Sequence, residues 1–223
     1  MARIATKEKA QKLRKDGESI RTIASLVDAS KSSVSYWCRD IVLSKKQIEF
    51  LQAKSKHSGR AQCIALGEEK RKRRIETVKS EKRMGAESVK KLSTREHYLL
   101  GLGLYWGEGY KTSNDEFGFT NSDPHMIVIY INWLVKHFSI KPLDLILRVG
   151  INTTHKNREE EIISYWSKLT GVSSSQFTKT SFLKSESKKE YTNHSEHYGT
   201  LRIKVRRGMK LKYRVLGALE ALA

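Results

Sequence analysis

The chain has 223 residues and a formal net charge of +19, so it has room for one large or two small domains. Residues 1–95 hold 25 Lys and Arg against 11 Asp and Glu, whereas residues 96–223 hold 18 against 13. This cationic excess favours nucleic acid as the partner. No apolar run approaches a spanning helix, no secretory signal opens the chain, and the two cysteines lack metal-ligand spacing. We therefore expect no membrane partner and a cytoplasmic, nucleoid-associated location.

Residues 1–44 have the spacing of a helix-turn-helix domain. The three predicted helices are Thr6–Lys15, Ile20–Val27 and Ser30–Ile41. The predicted small core is Ile23, Ala24, Val27, Val34 and Trp37. Asp28 stands where glycine is usual in the turn, and Asp tolerates the left-handed conformation better than most residues. This stretch resembles the helix-turn-helix domains of resolvases and many bacterial regulators.

The exposed face of the third predicted helix carries short hydroxyls, an aromatic residue and two cations. These candidate DNA contacts are Lys31, Ser32, Ser33, Ser35, Tyr36 and Arg39. Such side chains suit the major groove of DNA. The alternative is a three-helix bundle whose cations are only solvated, but the agreement of the whole pattern favours DNA binding.

Residues 45–93 are predicted to form a basic, mostly helical linker. Ser44 and Gln47 have the spacing of a capping box, which indicates that a helix begins there. The cations are densest at residues 70–74, and two acids lie four residues before two of them, as in a solvated helix. A long connecting helix and a partly disordered tether both remain open. Contact with phosphates is favoured slightly over a merely solvated face.

Residues 94–223 are predicted to form an α+β domain. Ser93 and Glu96 form a second capping box, which opens a helix that extends to the glycines at 101–109. A hairpin over 110–121 with a turn at 113–116 follows, and then a helix from Asp123-Pro124 to Phe138 and a strand over 145–151. The next helix is capped by Asn157 and closed by Gly171. Strands over 177–182 and 201–206, separated by a loop over 183–198, precede a last helix from Met209 to Leu222. These strands predict one antiparallel or mixed sheet with helices on one face.

The last predicted strand alternates apolar and cationic residues. Leu201, Ile203 and Val205 alternate with Arg202, Lys204 and Arg206. Because successive side chains of a strand point to opposite faces, one face of the sheet is expected to be cationic. A curved sheet with such a face can lie in a DNA groove, and Arg148 and Lys179 are further candidate contacts.

Gly101 to Gly109 reads Gly-Leu-Gly-Leu-Tyr-Trp-Gly-Glu-Gly. A glycine inside a helix costs about 1 kcal/mol against alanine, so close approach of a second helix is the expected compensation. Gly103 and Gly107 lie four apart on one helix face, as in helix pairs that pack through small residues. Glu108 stands at the negative end of the helix macrodipole, where a bound cation would stabilise it. The alternative is an exposed Glu108 held by a nearby Lys or Arg.

This run resembles the naming motif of the LAGLIDADG homing endonuclease family. Tyr98 to Gly101, Tyr110 and Asn121 to Pro124 are also similar to that family, and the resemblance covers residues 96 to about 222. The family packs its glycine-rich helix against the same helix of a second copy. One motif in this chain therefore implies a homodimer. The implied interface residues are Gly101, Gly103, Leu104 and Gly107.

The resemblance further implies that Glu108 is the catalytic acid and binds Mg²⁺ over the scissile phosphates. Trp106 stands in place of the first acid of the family motif. Two carboxylates and phosphate oxygens suit Mg²⁺, which would activate water for phosphodiester hydrolysis. The expected function is that of a site-specific, homodimeric, Mg²⁺-dependent endonuclease acting on double-stranded DNA. A non-cleaving transcription regulator built from the same two modules is the alternative, and an RNA-binding splicing helper is a more distant one.

Overall fold

The structure, a computed structural model, describes residues 2–55, 58–112, 115–184 and 197–222. The described residues form two compact units that divide between Lys90 and Lys91. The first unit is all-helical, and the second is α+β. No helix in the described ranges is both long and apolar enough to cross a membrane. The predicted turn at 113–116 and the predicted loop over 183–198 lie partly outside the described residues.

The first unit contains five helices in its described part. They are α1 (Ala2–Lys15), α2 (Ile20–Leu26), α3 (Lys31–Trp37), α4 (Lys45–Ala53) and α5 (Ser58–Val89). The N-cap side chains of Ser19, Ser30 and Ser44 accept backbone N–H groups of the first helical turns, and Ser44 and Gln47 complete the predicted capping box. The third helix ends at Trp37 and does not reach Ile41, because its C-cap, Cys38, already leaves helical geometry.

The predicted core of the N-terminal helices is largely confirmed. Ile23, Ala24 and Val34 are buried, and Val27 and Trp37 pack against them. The prediction missed Ala10 and Cys38, which are fully buried in the same core. Asp28 has φ +48°, so the turn before α3 uses the left-handed conformation that its sequence position predicted.

Helix α5 is anchored to the rest of the first unit by the buried carboxylate of Glu68. This carboxylate accepts from the guanidinium groups of Arg14 and Arg71 and, at 3.3 Å, from the backbone N–H of Leu43. Burial lowers the pKa of Arg14, and the charge of Glu68 opposes that shift. The 32 residues of α5 are continuous and span about 48 Å, so a helix and not a tether occupies the predicted linker.

The second unit alternates helices and strands. Its elements are α6 (Thr94–Glu108), β1 (Gly118–Asn121), α7 (Pro124–Phe138), β2 (Leu145–Asn152), α8 (Glu159–Thr170), β3 (Ser181–Leu183), β4 (Thr200–Val205) and α9 (Met209–Glu220). The predicted caps at Ser93, at Asp123-Pro124 and at Gly171 are confirmed. Asn157 is not a cap: a 3-10 turn, Thr153–Arg158, precedes α8, and Asn152 caps that turn.

The four strands form one mixed sheet in the order β1-β4-β2-β3. Strands β1 and β2 both pair antiparallel with β4, and β3 pairs parallel with β2. The first strand of the predicted hairpin is reduced to a single bridge between Gly109 and Phe119. Alternate residues of β2 and β4 are buried in one core with residues of α6, α7, α8 and α9, while the residues between them are only half-buried. The sheet therefore has an apolar inner face and a polar outer face.

Candidate functional site

The last turn of α6 is fixed against the sheet. The N–H of Gly109 donates to the carbonyl of Tyr105 at 2.8 Å, and the Tyr105 hydroxyl donates to the carbonyl of Tyr110 at 2.7 Å. Tyr110 in turn donates its N–H to Gly118 of β1 at 2.9 Å. Burial raises the pKa of Tyr105 to about 12, so its phenol stays a proton donor at neutral pH. Glu108 is thus presented from an ordered backbone.

Glu108 itself is exposed at the end of α6. None of the ion pairs found among the described residues includes it, so the alternative of a Glu108 neutralised by Lys or Arg has no support in this part of the chain. Lys111 also contacts this turn, because its ammonium group donates to the carbonyl of Trp106. A cation at a helix C-terminus offsets the unpaired carbonyls there. The sequence pattern did not single out Lys111.

One face of α6 is open. A Cβ added to Gly103 or to Gly107 would meet no atom within 4 Å. Leu99, Leu100 and Trp106 lie on the same stripe of the helix and are exposed, Trp106 to 49%. Two glycines bordered by three exposed apolar side chains make a surface on which a second helix could pack closely.

Gly101 and Leu104 do not belong to this open face, contrary to prediction. Gly101 is buried, and a Cβ there would overlap the indole ring of Trp133 in α7. That indole is held in place, since its Nε1 donates to the carbonyl of Tyr98 at 3.0 Å. Leu104 is half-buried and packs against the core of its own unit. Glycine at 101 thus serves the contact between α6 and α7, whereas only Gly103 and Gly107 face outward.

The donors available for a metal ion are few within one chain. Among the described residues, no group of three or more His, Cys, Asp or Glu side chains is gathered in one place. Glu108 supplies one carboxylate. With Glu108 of a second copy and phosphate oxygens, the donor set would suit a divalent cation that prefers oxygen, such as Mg²⁺.

The outer face of the sheet carries the predicted cations. Arg148 of β2 lies directly opposite Arg202 of β4, and Lys204 follows on the same face. Among the described residues no ion pair includes Arg148, and the buried Nε atoms of Arg148 and Arg202 have no hydrogen-bond partner. The guanidinium of Arg202 also lies over the ring of Tyr110, 5.5 Å from its centroid.

Glu116, which the sequence pattern did not indicate, lies among these cations. Its carboxylate accepts from Arg202 Nη2 at 3.0 Å and from the ammonium of Lys204. The hydrogen bond from Lys204, with a smaller contribution from Arg202, holds the pKa of Glu116 below its ordinary value. Two of the cations predicted to contact DNA are therefore paired within the chain, while Arg148 forms no ion pair with a described residue.

The remaining two predicted cations lie beyond the strands. Strand β4 ends at Val205, so Arg206 is an exposed residue of the following turn and not part of the strand's cationic row. Lys179 is exposed in the segment before β3, because the predicted strand over 177–182 is represented by one bridge at Phe177 and the short β3. Both side chains are accessible to a partner, but neither residue lies within a strand.

In the first unit, α3 presents most of its predicted contact residues to solvent. Lys31, Ser32, Ser35, Tyr36 and Arg39 are exposed, and Ser33 is half-buried. The Arg39 guanidinium lies 4.7 Å from the centre of the Tyr36 ring and 3.5 Å from a carboxylate oxygen of Asp40. The hydroxyls of Ser32 and Ser33 bond to the N-cap hydroxyl of Ser30. Ser32, Ser33 and Arg39 thus already make contacts with neighbouring residues of the first unit.

Comparison with known proteins gave no relative for this chain. No family model matches it, and no curated protein and no solved structure shows a significant match.

Proposed function

We propose that residues 94–223 form a LAGLIDADG-like domain that dimerises through α6 and hydrolyses double-stranded DNA with Mg²⁺. The observation that carries this proposal is an open glycine face on α6 together with an exposed Glu108 at the end of the same helix, which forms no ion pair with any described residue. Neither feature benefits an isolated monomer, because interior glycines weaken a helix and a C-terminal carboxylate opposes its dipole.

A dimer accounts for the glycine face. When two copies of α6 cross at Gly103 and Gly107, their backbones approach closely and the exposed Leu99, Leu100 and Trp106 become buried. A twofold axis that runs roughly along the two helices at that crossing would bring the two α6 C-termini to the same end of the interface. The two Glu108 carboxylates then repel each other, and a divalent cation relieves that repulsion.

The sheet supports DNA as the partner. Arg148 has no carboxylate partner among the described residues and stands beside Arg202 on the outer face of the sheet. Two adjacent guanidinium groups attract phosphate.

The proposal assigns a role in the reaction or its support to three residues of the chain, Glu108, Lys111 and Tyr105. Glu108 of each copy supplies one oxygen ligand, and Mg²⁺ when bound supplies an activated water and stabilises charge on the leaving oxygen. Lys111 is the basic residue that we assign to assist, since its ammonium is held at the Trp106 carbonyl in the turn that carries Glu108. Tyr105 stays protonated and serves to fix this turn.

A non-cleaving regulator is the second candidate, and the first unit favours it. A three-helix core with α3 exposed is an arrangement that could read DNA as a helix-turn-helix. Under this alternative, the second unit serves for dimerisation and DNA contact, and Glu108 has no catalytic role.

Cleavage distinguishes the two candidates. The full-length protein is incubated with a pool of random duplexes and Mg²⁺, and the ends formed are sequenced. The endonuclease proposal expects cuts at a pseudo-palindromic sequence that disappear in Glu108→Gln. Changes next to metal ligands already cost about 10–100-fold in activity, so loss of the ligand should cost more than about 100-fold.

The matched control is Glu160→Gln, which removes one exposed carboxylate on α8 and should cleave like the wild-type protein. Equal cleavage by Glu108→Gln would refute the catalytic assignment. Tight, sequence-dependent binding without cuts for any duplex would support the regulator.

A further inference from the structure

Glu116 is an acid that contacts two of the cations on the outer face of the sheet. Its two oxygens are engaged by different partners, Oε2 by Arg202 and Oε1 by Lys204. The side chain nevertheless remains 41% exposed, more than either cation that holds it. A carboxylate has about four acceptor positions, so two donors leave acceptor capacity unused, and the exposure of the side chain lets a further donor reach it.

The backbone on both sides of Glu116 is fixed within the second unit. Phe117 is fully buried, and its carbonyl accepts the N–H of Val205 in β4 at 3.0 Å. On the other side, the Asp115 carboxylate accepts the hydroxyl of Tyr213 in α9 at 2.9 Å. The Glu116 carboxylate is thus ordered before any partner arrives, which lowers the entropy cost of a directed contact.

An ordered, outward-facing carboxylate selects among the groups that DNA displays. It is repelled by phosphates and by the acceptor atoms of guanine and thymine, and it accepts only from base amino groups. In the major groove, Glu and Asp pair with the N4 amino group of cytosine, whereas adenine is better matched by the amide of Asn or Gln. Because Lys204 holds its pKa down, Glu116 is ionised at neutral pH.

We propose that Glu116 is a specificity-determining residue that accepts the N4 amino group of a cytosine in the major groove, with Arg202 and Lys204 positioning its carboxylate. This inference rests on the proposed binding of DNA by the outer face of the sheet. It assigns Arg202 and Lys204 a positioning role in addition to phosphate attraction. Arg148, which has no ion pair among the residues that the structure describes, would meet the DNA backbone.

The test is selection of binding sites from a random duplex pool by the full-length protein without divalent metal. Wild-type protein is expected to require cytosine at one position of each half-site. Glu116→Gln keeps the shape of the side chain and one of its two oxygens, so one of Arg202 and Lys204 retains its acceptor, while the other oxygen is replaced by an amide donor. It should lose the cytosine preference, by roughly 5- to 150-fold, and shift that position toward adenine.

Two further variants separate the possible outcomes, and thermal melting checks that each is folded. Glu160→Gln makes the same charge change on α8 and should leave the selected sequence unchanged. If Glu116→Gln raises affinity for all duplexes equally without changing the preferred sequence, Glu116 only competes with phosphate and the inference is overturned. If Arg148→Ala leaves DNA affinity unchanged, the sheet is not the DNA-binding face, and the proposed function fails together with the inference.

Discussion

Gly101 and Gly103 lie two residues apart in α6, yet their surroundings are opposite. Gly101 faces the Trp133 indole inside its own unit, whereas the position of a Cβ on Gly103 is empty space. Both glycines were predicted to serve an interface, although residues two apart on a helix point to nearly opposite sides. The position of Trp133, 32 residues further along the chain, makes the side of Gly101 the buried one.

Alanine at these two positions should therefore act in opposite directions. Gly101→Ala forces Trp133 to shift and should lower the free energy of unfolding by about 1–3 kcal/mol, as overpacking does. Gly103→Ala meets no atom and should raise the stability of the monomer by up to about 1 kcal/mol through helix propensity, while weakening the proposed dimer. Chemical denaturation and sedimentation equilibrium measure the two effects. Equal destabilisation by both variants would contradict this assignment.

At the scale of the elements, two contacts between helices depend on ionisable side chains that are distant in sequence. Glu68 of α5 meets Arg14 of α1, and His97 of α6 meets His137 of α7. The sequence pattern predicted neither pair. It related Glu68 only to a cation four residues later in the same helix, and His97 and His137 are 40 positions apart. Each contact lies within one unit: the first joins α1 to α5, and the second joins α6 to α7.

Removal of Glu68 should destabilise the first unit strongly. The Glu68→Ala variant leaves the buried Arg14 without its carboxylate and should cost about 3–5 kcal/mol. Its neighbour Glu69 forms an exposed pair with Arg73 at 2.5 Å, so Glu69→Ala should cost less than about 1 kcal/mol. Thermal unfolding monitored by circular dichroism compares the two. A similar loss in both variants would show that Glu68 does not anchor α5.

The histidine pair should make the contact between α6 and α7 sensitive to pH. His97 Nδ1 and His137 Nε2 lie 2.9 Å apart, and burial, with His97 and Lys136, lowers the pKa of His137 below 6.5. A histidine with a lowered pKa in the folded state binds protons more readily when unfolded, so stability should decrease as pH falls below about 6.5. His137→Gln should reduce this slope between pH 7 and pH 5. Parallel melting curves for both proteins would exclude such a role.

On the scale of the whole molecule, the net charge of +19 is distributed over both units. Charge at this scale attracts any polyanion and says little about which surface binds it. The arrangement of the charges is more informative, because Arg202 and Lys204 are paired with Glu116 while Arg148 has no ion pair among the described residues. If the chain binds DNA as proposed, the two paired cations should release fewer counterions from DNA than their number suggests.

The salt dependence of binding tests this distribution. Each phosphate contact adds about 0.9 to the slope of log affinity against log salt concentration. Arg148→Ala should therefore lower the slope by about 1, whereas Lys168→Ala, on the exposed surface of α8, should leave it unchanged. Titrations of one duplex at several salt concentrations give both slopes. A slope that responds equally to the two changes would indicate unspecific attraction by the whole chain.

The sequence by itself determined the features that depend on neighbouring residues. Ser30, Ser44 and Ser93 begin helices because a serine hydroxyl can accept an N–H group only two or three residues away. The alternation along Leu201 to Val205 gave β4 its two faces, because the period of a strand is local. Asp28 predicted the turn before α3 because tolerance of the left-handed conformation is a property of the residue itself. The reduced hairpin at 110–121 and the misplaced cap at Asn157 show where local patterns were not sufficient.

Only the tertiary structure decided which of these residues meet. Glu116 finds Lys204 across 88 positions of the chain, and Arg14 finds Glu68 across 54. Such contacts depend on how the helices pack and on the pairing of β1 with β4. Local residue patterns carry no information about partners at these separations, because the free energy that selects them comes from burial of the whole core. The same packing left Gly103, Gly107 and Glu108 exposed.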